Sequence, residues 1–270
     1  MKENKKYTIQ IIGDIALLKF KENISEEEKI KIAKSIKEKM PRIKTICELK
    51  RIEGEFRNPI AKVLIGNDTI TIHKEHGILY KLDVLNIMFS KGNLYERKRI
   101  INAIKENETI VDMFAGIGYF SLGIAKYSKA RIVYAIEKNP VAYNFLKENI
   151  TLNKLENKII AILGDCREIA RKKELQGIAN RVIMGYLKNT EDFLSSAFLF
   201  LKDQGIIHFH NTYKKEELWN LPIKILEERA KYFGFELEEI ISKRIVKSYA
   251  PRVFHVVLDA RFRRNRYQNG

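Results

Sequence analysis

The chain has 270 residues, 45% of them apolar and 31% charged, a balance that supplies a full hydrophobic core and excludes a disordered or collagen-like polymer. Lys and Arg outnumber Asp and Glu by 50 to 34, for a formal net charge of +16, which points to a polyanionic partner such as nucleic acid more than to an acidic metabolite. Only Cys47 and Cys166 are present, with no CxxC spacing, and no run approaches the roughly 18 apolar residues of a membrane span, so a disulfide framework, a metal site and a membrane partner are all excluded and a cytoplasmic protein is expected.

The positive excess is spread along the chain. The first 100 residues hold 22 basic and 14 acidic side chains and the remainder 28 and 20, so both of the domains expected at this length face the polyanion. Residues 7–20 alternate around Gly13-Asp14 and predict a hairpin. Ser25-Glu26-Glu27-Glu28 has capping-box spacing and starts a helix that runs to about Met40. Short runs over 43–51, 62–65, 69–74 and 78–83, separated by Gly, Asn and Pro, predict strands, which makes residues 1–84 a small α+β domain. Residues 85–106 carry a helical pattern with Ser90, Arg97, Lys98 and Arg99 and form a junction to the rest.

The segment from Thr109 to Phe120 is the most informative in the chain. An apolar strand runs into Asp112, and Gly116-Ile117-Gly118 turns the chain into a helix, the arrangement by which an open α/β sheet cradles a nucleotide at its carboxyl edge. The third glycine of the dinucleotide fingerprint is replaced by Ser121 and no P-loop Lys follows, so a nucleoside without a pyrophosphate fits better, with S-adenosylmethionine foremost. Beyond it, strands over 110–114, 131–137, 159–163, 181–186 and 205–210 alternate with helices over 119–127, 140–153, 166–176, 190–201 and 215–233. Segments 236–246 and 253–262 close as an antiparallel pair. Residues 107–270 are therefore expected to form an α/β, Rossmann-like cofactor-binding domain with a seven-stranded mixed sheet.

Two further acids stand at strand ends. Glu137 ends the second strand about 20 residues beyond the glycine turn, where a carboxylate accepts from both ribose hydroxyls. Asp165 follows the third strand in Leu163-Gly164-Asp165-Cys166 and is placed to accept from an adenine amino group. Each alone reads more often as a helix cap; three in succession argue for a site. Cys166 has no paired base and reads as a packing residue. The fourth strand, Arg181-Val182-Ile183-Met184-Gly185-Tyr186-Leu187, lacks the Asn-Pro motif with which many methyltransferases hold a base nitrogen. Tyr186 either stacks on a substrate base or packs at the strand end.

The string 181–187 with Thr190, the strand Gly205-Ile206-Ile207-His208-Phe209-His210 and the segment Tyr249-Ala250-Pro251 leading to His255-Val256-Val257 and Asp259-Ala260 resemble the archaeal tRNA wybutosine-synthesizing protein 2 family, continuously from about Glu48 to Phe262. The resemblance implies a class I S-adenosylmethionine-dependent transferase related to the tRNA guanine-N1 methyltransferases. It implies transfer of the 3-amino-3-carboxypropyl group of S-adenosylmethionine to carbon 7 of 4-demethylwyosine, at position 37 beside the anticodon of phenylalanine tRNA, with release of methylthioadenosine. It places cofactor positions on Ser90, Arg97, Glu137, Asp165 and Cys166. Asn180 stands where relatives often carry Asp, and the first 45 or so residues are least similar.

Sulfonium geometry makes the chemistry a matter of placement, because the carbon in line with the nucleophile reacts. Arg97 suits the methionine carboxylate as a bidentate partner, although in Tyr95-Glu96-Arg97-Lys98-Arg99 it also reads as part of a solvated basic face. His208 and His210 are the available general bases if one is needed. Arg57, Lys62, His73, Lys74 and His76, together with Lys243, Arg244, Lys247, Arg252, Arg261, Arg263 and Arg264, are expected to contact tRNA phosphates, and a monomer is expected. The competing readings are a guanine-N1 tRNA methyltransferase and a non-catalytic RNA-binding scaffold.

Overall fold

A computed structural model of the protein describes residues 6–21, 24–90, 93–187 and 189–265. The chain falls into two units, Met1–Lys91 and Gly92–Gly270.

In the first unit the expected hairpin is β1 (Tyr7–Ile12) and β2 (Ile15–Phe20), antiparallel across the Gly13-Asp14 turn. Helix α1 (Glu26–Lys39) starts at Ser25, whose hydroxyl accepts from the Glu28 N–H, with three glutamates in its first turn to favour the dipole. It crosses to β3 (Thr45–Glu53), parallel to β2, and β4 (Asn58–Ile65) returns antiparallel at the sheet edge. Strand β4 begins earlier than the sequence pattern suggests because Pro59 is tolerated on an edge strand. Ala16, Leu18, Ala33, Ile36, Ile43 and Ile46 form the core beneath α1. A separate hairpin, β5 (Ile70–Glu75) and β6 (Ile78–Asp83), packs on the Gly13 turn, with Gly13 N–H donating to His73 Nδ1 and Thr71 Oγ1 donating to Asp14.

The helix expected over 85–106 is shorter. The Asp83 carboxylate accepts from Leu85 N–H and Asn86 Nδ2, and its backbone carbonyl accepts from Ile87 N–H, which folds the chain into a turn. Helix α2 covers only Leu94–Ala103, in the second unit.

The second unit follows the predicted alternation: β7 (Thr109–Asp112), α3 (Ser121–Tyr127), β8 (Ile132–Glu137), α4 (Pro140–Leu152), β9 (Ile159–Leu163), α5 (Cys166–Ile169), β10 (Ala179–Met184), α6 (Leu194–Phe200), β11 (Leu201–Lys214), α7 (Asn220–Tyr232), β12 (Phe235–Ala250) and β13 (Val253–Arg264). The seven strands run in the order β12-β13-β11-β10-β7-β8-β9. All pairs from β11 to β9 are parallel, whereas β13 is antiparallel to both β11 and β12. Strand order reverses between β7 and β10, so the carboxyl ends of these strands open the switch-point crevice where such sheets bind ligands.

Local chemistry trims several predicted helices. The stretch 166–176 yields only α5 and a 3-10 turn at Lys173–Leu175. Trp219, at φ 71, separates a 3-10 turn at Lys215–Glu217 from α7. Strands β11 to β13 are longer than predicted because each is extended by its neighbour's ladder. No helix among the described residues is long and apolar enough to cross a membrane.

Asp112 is fully buried at the end of β7. Its carboxylate accepts from Ser121 Oγ at 2.6 Å and from Phe114 N–H, clasping the glycine turn between strand and helix. Burial pushes its pKa up to about 6, against an unfolded value near 3.9. Between about pH 4 and 6 the folded chain thus holds a proton that the unfolded chain has lost, and stability falls as pH rises across that window, by roughly 2–3 kcal/mol. Asp112→Asn removes this slope. Denaturant unfolding from pH 4 to 7 should show the variant gaining on the wild type up to about pH 6 and holding a constant lead above it; parallel profiles would refute the assignment.

Candidate nucleoside site at the carboxyl edge of the sheet

The three acids lie at the ends of adjacent parallel strands, with Asp112 opposite Ala135 and Glu137 opposite Leu163. Their surroundings differ. Glu137 Oε2 accepts from Gly116 N–H at 2.7 Å and Oε1 accepts from Asn139 N–H at 2.7 Å, while burial pushes its pKa up. A carboxylate offers about four lone-pair sites, so Glu137 keeps acceptor capacity beyond these two bonds. Gly116 has φ +57, and a Cβ there would lie 2.5 Å from Cε2 of Tyr119, so only glycine allows that ring to rest on the turn. Gly118, at φ +100, continues the same turn.

Asp165 is the N-cap of α5, accepting from Arg167 N–H. Its oxygens also take Arg167 Nε at 2.9 Å and Nη2 at 2.6 Å, and Lys138 Nζ at 3.2 Å. The Arg167 guanidinium holds this carboxyl well below the usual range. With its acceptor sites filled, Asp165 receives an adenine amino group only if a cationic partner moves. Cys166 is buried in the core and burial pushes its thiol up to about 12, as a packing residue requires.

Arg97 is 7% exposed, with its guanidinium 5.3 Å from the centroid of the half-buried Tyr119 ring. Burial removes the solvated-face reading of this position. Its neighbours on α2 explain why the helix turns charge inward: Glu96, 1% exposed, accepts from Arg99 Nη2 at 2.6 Å, and Arg99 Nη2 donates at 3.0 Å to Asp259 on β13.

His208 belongs to that interior network and is not placed to remove a proton from a substrate. It is fully buried, with Nδ1 2.7 Å from Asp259 and Nε2 3.3 Å from Arg181 Nη1. Arg181 only donates, so Nε2 accepts and Nδ1 carries the hydrogen toward Asp259. Arg181 in turn donates from Nε to Glu108 at 2.6 Å. Burial would raise the Asp259 carboxyl, but His208 and Arg99 outweigh it and hold it well below the usual range. His210 is also enclosed, 3.1 Å from His255, and burial pushes its pKa down to about 3.

Tyr186 stacks on Phe114, with centroids 5.0 Å apart and planes at 17°, and meets Phe193 edge-on. Arg167 lies 5.0 Å above Phe193. Tyr186 therefore has a packing role in an aromatic cluster at the ends of β7 and β10. The sequence reading missed Tyr119, Phe114 and Phe193. Tyr119 sits inside the glycine motif, but its contact with Arg97 joins positions 22 residues apart and leaves no periodic trace. Asn180 Oδ1 accepts from Thr109 N–H and Lys202 Nζ, which places it in sheet structure. Ser90 belongs to the first unit. No group of three or more His, Cys, Asp or Glu among the described residues is arranged to hold a metal.

Five of the twelve proposed phosphate contacts are ion-paired within their own unit. Lys62 meets Glu26 and Glu48, and His73 is engaged by the Gly13 N–H. Arg252 pairs with Glu216, Arg261 with Glu239, Arg263 with Glu238 and Arg264 with Asp203. Arg244 lies 4.2 Å over Tyr95 and Lys243 5.9 Å over Trp219.

Comparison with known proteins agrees with this geometry. The TRM5/TYW2 methyltransferase domain matches residues 71–238, and the TYW2 N-terminal domain matches residues 3–69. A tRNA(Phe) (4-demethylwyosine(37)-C(7)) aminocarboxypropyltransferase of Methanocaldococcus jannaschii is 49% identical over 255 residues, covering 94% of this chain and 98% of that protein. The crystal structure of M. jannaschii TYW2 in complex with AdoMet superposes with a TM-score of 0.77 at 43% identity, covering 95% of this chain and all of the other. That of P. horikoshii TYW2 in complex with MeSAdo reaches 0.83 at 40% identity, covering 94% and 90%. With the seven-stranded sheet, the glycine turn and the two family models together matching residues 3–69 and 71–238, the chain belongs to the TRM5/TYW2 family of S-adenosylmethionine-dependent tRNA-modifying transferases.

Proposed function

We propose that the protein transfers the 3-amino-3-carboxypropyl group of S-adenosylmethionine to carbon 7 of 4-demethylwyosine at position 37 of tRNA(Phe), releasing methylthioadenosine. The likeness to a curated aminocarboxypropyltransferase and the match to the TYW2 N-terminal domain favour this over guanine-N1 methylation. The single structural observation that carries it is the burial of the Arg97 guanidinium against the glycine turn whose N–H holds Glu137.

The residues fit the donor. Glu137 has acceptor sites left for the two ribose hydroxyls, and Arg97 offers a planar, desolvated cation for the methionine carboxylate. When bound, S-adenosylmethionine supplies a sulfonium whose γ-carbon is open to attack: the new bond joins it to carbon 7, the sulfur–γ-carbon pair stays on sulfur, and the proton on carbon 7 is lost. Arg97 turns the limb toward the acceptor, and Glu137 keeps the nucleoside end in place. His208, His210 and His255 are sealed inside the sheet, so proton removal falls to water and positioning carries the catalysis.

The direct test is mass spectrometry of tRNA(Phe) carrying 4-demethylwyosine after incubation with the protein, together with identification of the nucleoside by-product. An aminocarboxypropyl mass gain with methylthioadenosine is expected; a methyl gain with S-adenosylhomocysteine would return the chain to the methyltransferase reading, and no binding of S-adenosylmethionine would leave a scaffold.

By calorimetry, Glu137→Ala should weaken both S-adenosylmethionine and methylthioadenosine by about tenfold or more, as loss of hydrogen bonds to a charged group does. Arg97→Ala should weaken only the former, since methylthioadenosine has no carboxylate. Equal losses for the two ligands in Arg97→Ala would remove the limb-holding role. The ion-paired arginines must exchange carboxylates for phosphates, so tRNA affinity should fall steeply, by roughly 10³-fold or more between 50 and 200 mM salt if about six phosphates are neutralised. A flat filter-binding profile would exclude phosphate contacts as the source of affinity.

A further inference from the structure

We propose that Tyr95 and Arg244 form a stacking platform for RNA on the surface of the second unit, and that it takes an unpaired nucleotide beside the acceptor base. The inference rests on the reading that the substrate is a tRNA, and adds to it the place and manner of one contact.

Tyr95 stands in the first turn of α2 and is 66% exposed, whereas Arg97, two residues on, is buried. Two residues advance a helix by about 200°, so the turn that sends Arg97 inward sends Tyr95 outward. The guanidinium carbon of Arg244, on β12, lies 4.2 Å from the centroid of the Tyr95 ring. An exposed cation–π pair adds little to the stability of a fold. An aromatic ring and a guanidinium are, however, the side-chain groups on which unpaired bases stack.

The charge around the pair is of one sign. Lys98 lies one turn further along the same face of α2 and is exposed. From Ser242 to Arg252 the chain holds four basic residues and no acidic one. Nearer its start, β12 supplies Glu238 and Glu239 to Arg263 and Arg261. Opposite Lys243, Arg244 and Lys247 the β13 ladder places Leu258, Val257 and His255, so no cross-strand carboxylate faces them; Arg252, beyond the strand, pairs with Glu216. Strand β12 thus changes along its length from a mixed-charge ribbon to a cationic stretch, and the Tyr95 ring lies against that stretch. A polyanion that also offers flat rings matches both features, whereas an acidic peptide matches the charge alone.

Position on the helix selects the nucleotide. The acceptor carbon has to reach a sulfonium in the crevice at the ends of β7 and β8, on the side of α2 that carries Arg97. Tyr95 faces away from that side, so a base stacked on it stays outside the crevice. The platform therefore serves a neighbour of the acceptor in the single-stranded loop, and holds that loop while the acceptor is turned in.

The test uses tRNA(Phe) carrying 4-demethylwyosine and the variants Tyr95→Ala, Tyr95→Phe and Arg244→Ala. In filter binding, Tyr95→Ala should weaken tRNA about tenfold, as loss of one base-stacking contact does, while S-adenosylmethionine affinity by calorimetry stays at the wild-type value. Because tyrosine is neutral, the slope of tRNA affinity against salt should also be unchanged. Tyr95→Phe should restore binding, and Arg244→Ala should weaken it. An abasic residue at one of the two nucleotides flanking position 37 should cost the wild type about tenfold and cost Tyr95→Ala nothing further. Tyr95→Ala binding tRNA like the wild type, with the same abasic penalties, would overturn the platform and leave the tRNA reading intact. A wild-type protein that does not bind this tRNA would remove the substrate reading and the inference with it. A dimer lost in Tyr95→Ala on analytical ultracentrifugation would overturn the inference by reassigning this face, beside the edge strand β12, to contact between copies of the chain.

Discussion

The hydrogen bond from Gly116 N–H to the Glu137 carboxylate, 2.7 Å long, is the constraint around which the site is arranged. It joins the loop after β7 to the end of β8, and it satisfies a backbone donor that the positive φ of Gly116 turns out of the local ladder. The same carboxylate collects Asn139 N–H at the start of α4. Two loops and a helix entrance are thereby fixed relative to one acid. Burial raises the cost of ionising Glu137 and outweighs the backbone donors that favour its charged form.

A second interaction system lies behind the first. Glu108, Arg181, His208, Asp259, Arg99 and Glu96 form a continuous, largely buried chain of charge-assisted contacts from the start of β7 through β10, β11 and β13 to α2. Removing one partner from such a chain strands a buried charge, a loss of about 3–5 kcal/mol, even though an intact pair adds little over an apolar substitute. Its consequence here is geometric. Helix α2 is tethered to β13 through Arg99, two residues beyond Arg97.

Part of the positive charge behind the net +16 is carried by ion-paired arginines. Along the β12–β13 ribbon, arginines alternate with glutamates that pair with them. Exposed pairs of this kind contribute little to stability and exchange readily for phosphate. An excess of positive charge favours long-range attraction of a polyanion. A tRNA substrate fits this pattern.

The sequence by itself determined the class of fold, the glycine turn and the acids beside it. These are local matters: strand and helix periods, Ser25 as a cap, and the Gly116-Ile117-Gly118 spacing are written in consecutive residues. Only the tertiary structure decided what charge and aromatic residues do. Asp112 became a buried clasp, Asp165 a saturated cap and His208 an interior link, because each meets partners from other elements, Ser121, Lys138 and Asp259 among them. The inward turn of Glu96, Arg97 and Arg99 was hidden in what reads as a charged helix face, since desolvation of a cation is favourable only where distant carboxylates or rings are brought to it, and no local pattern encodes that meeting.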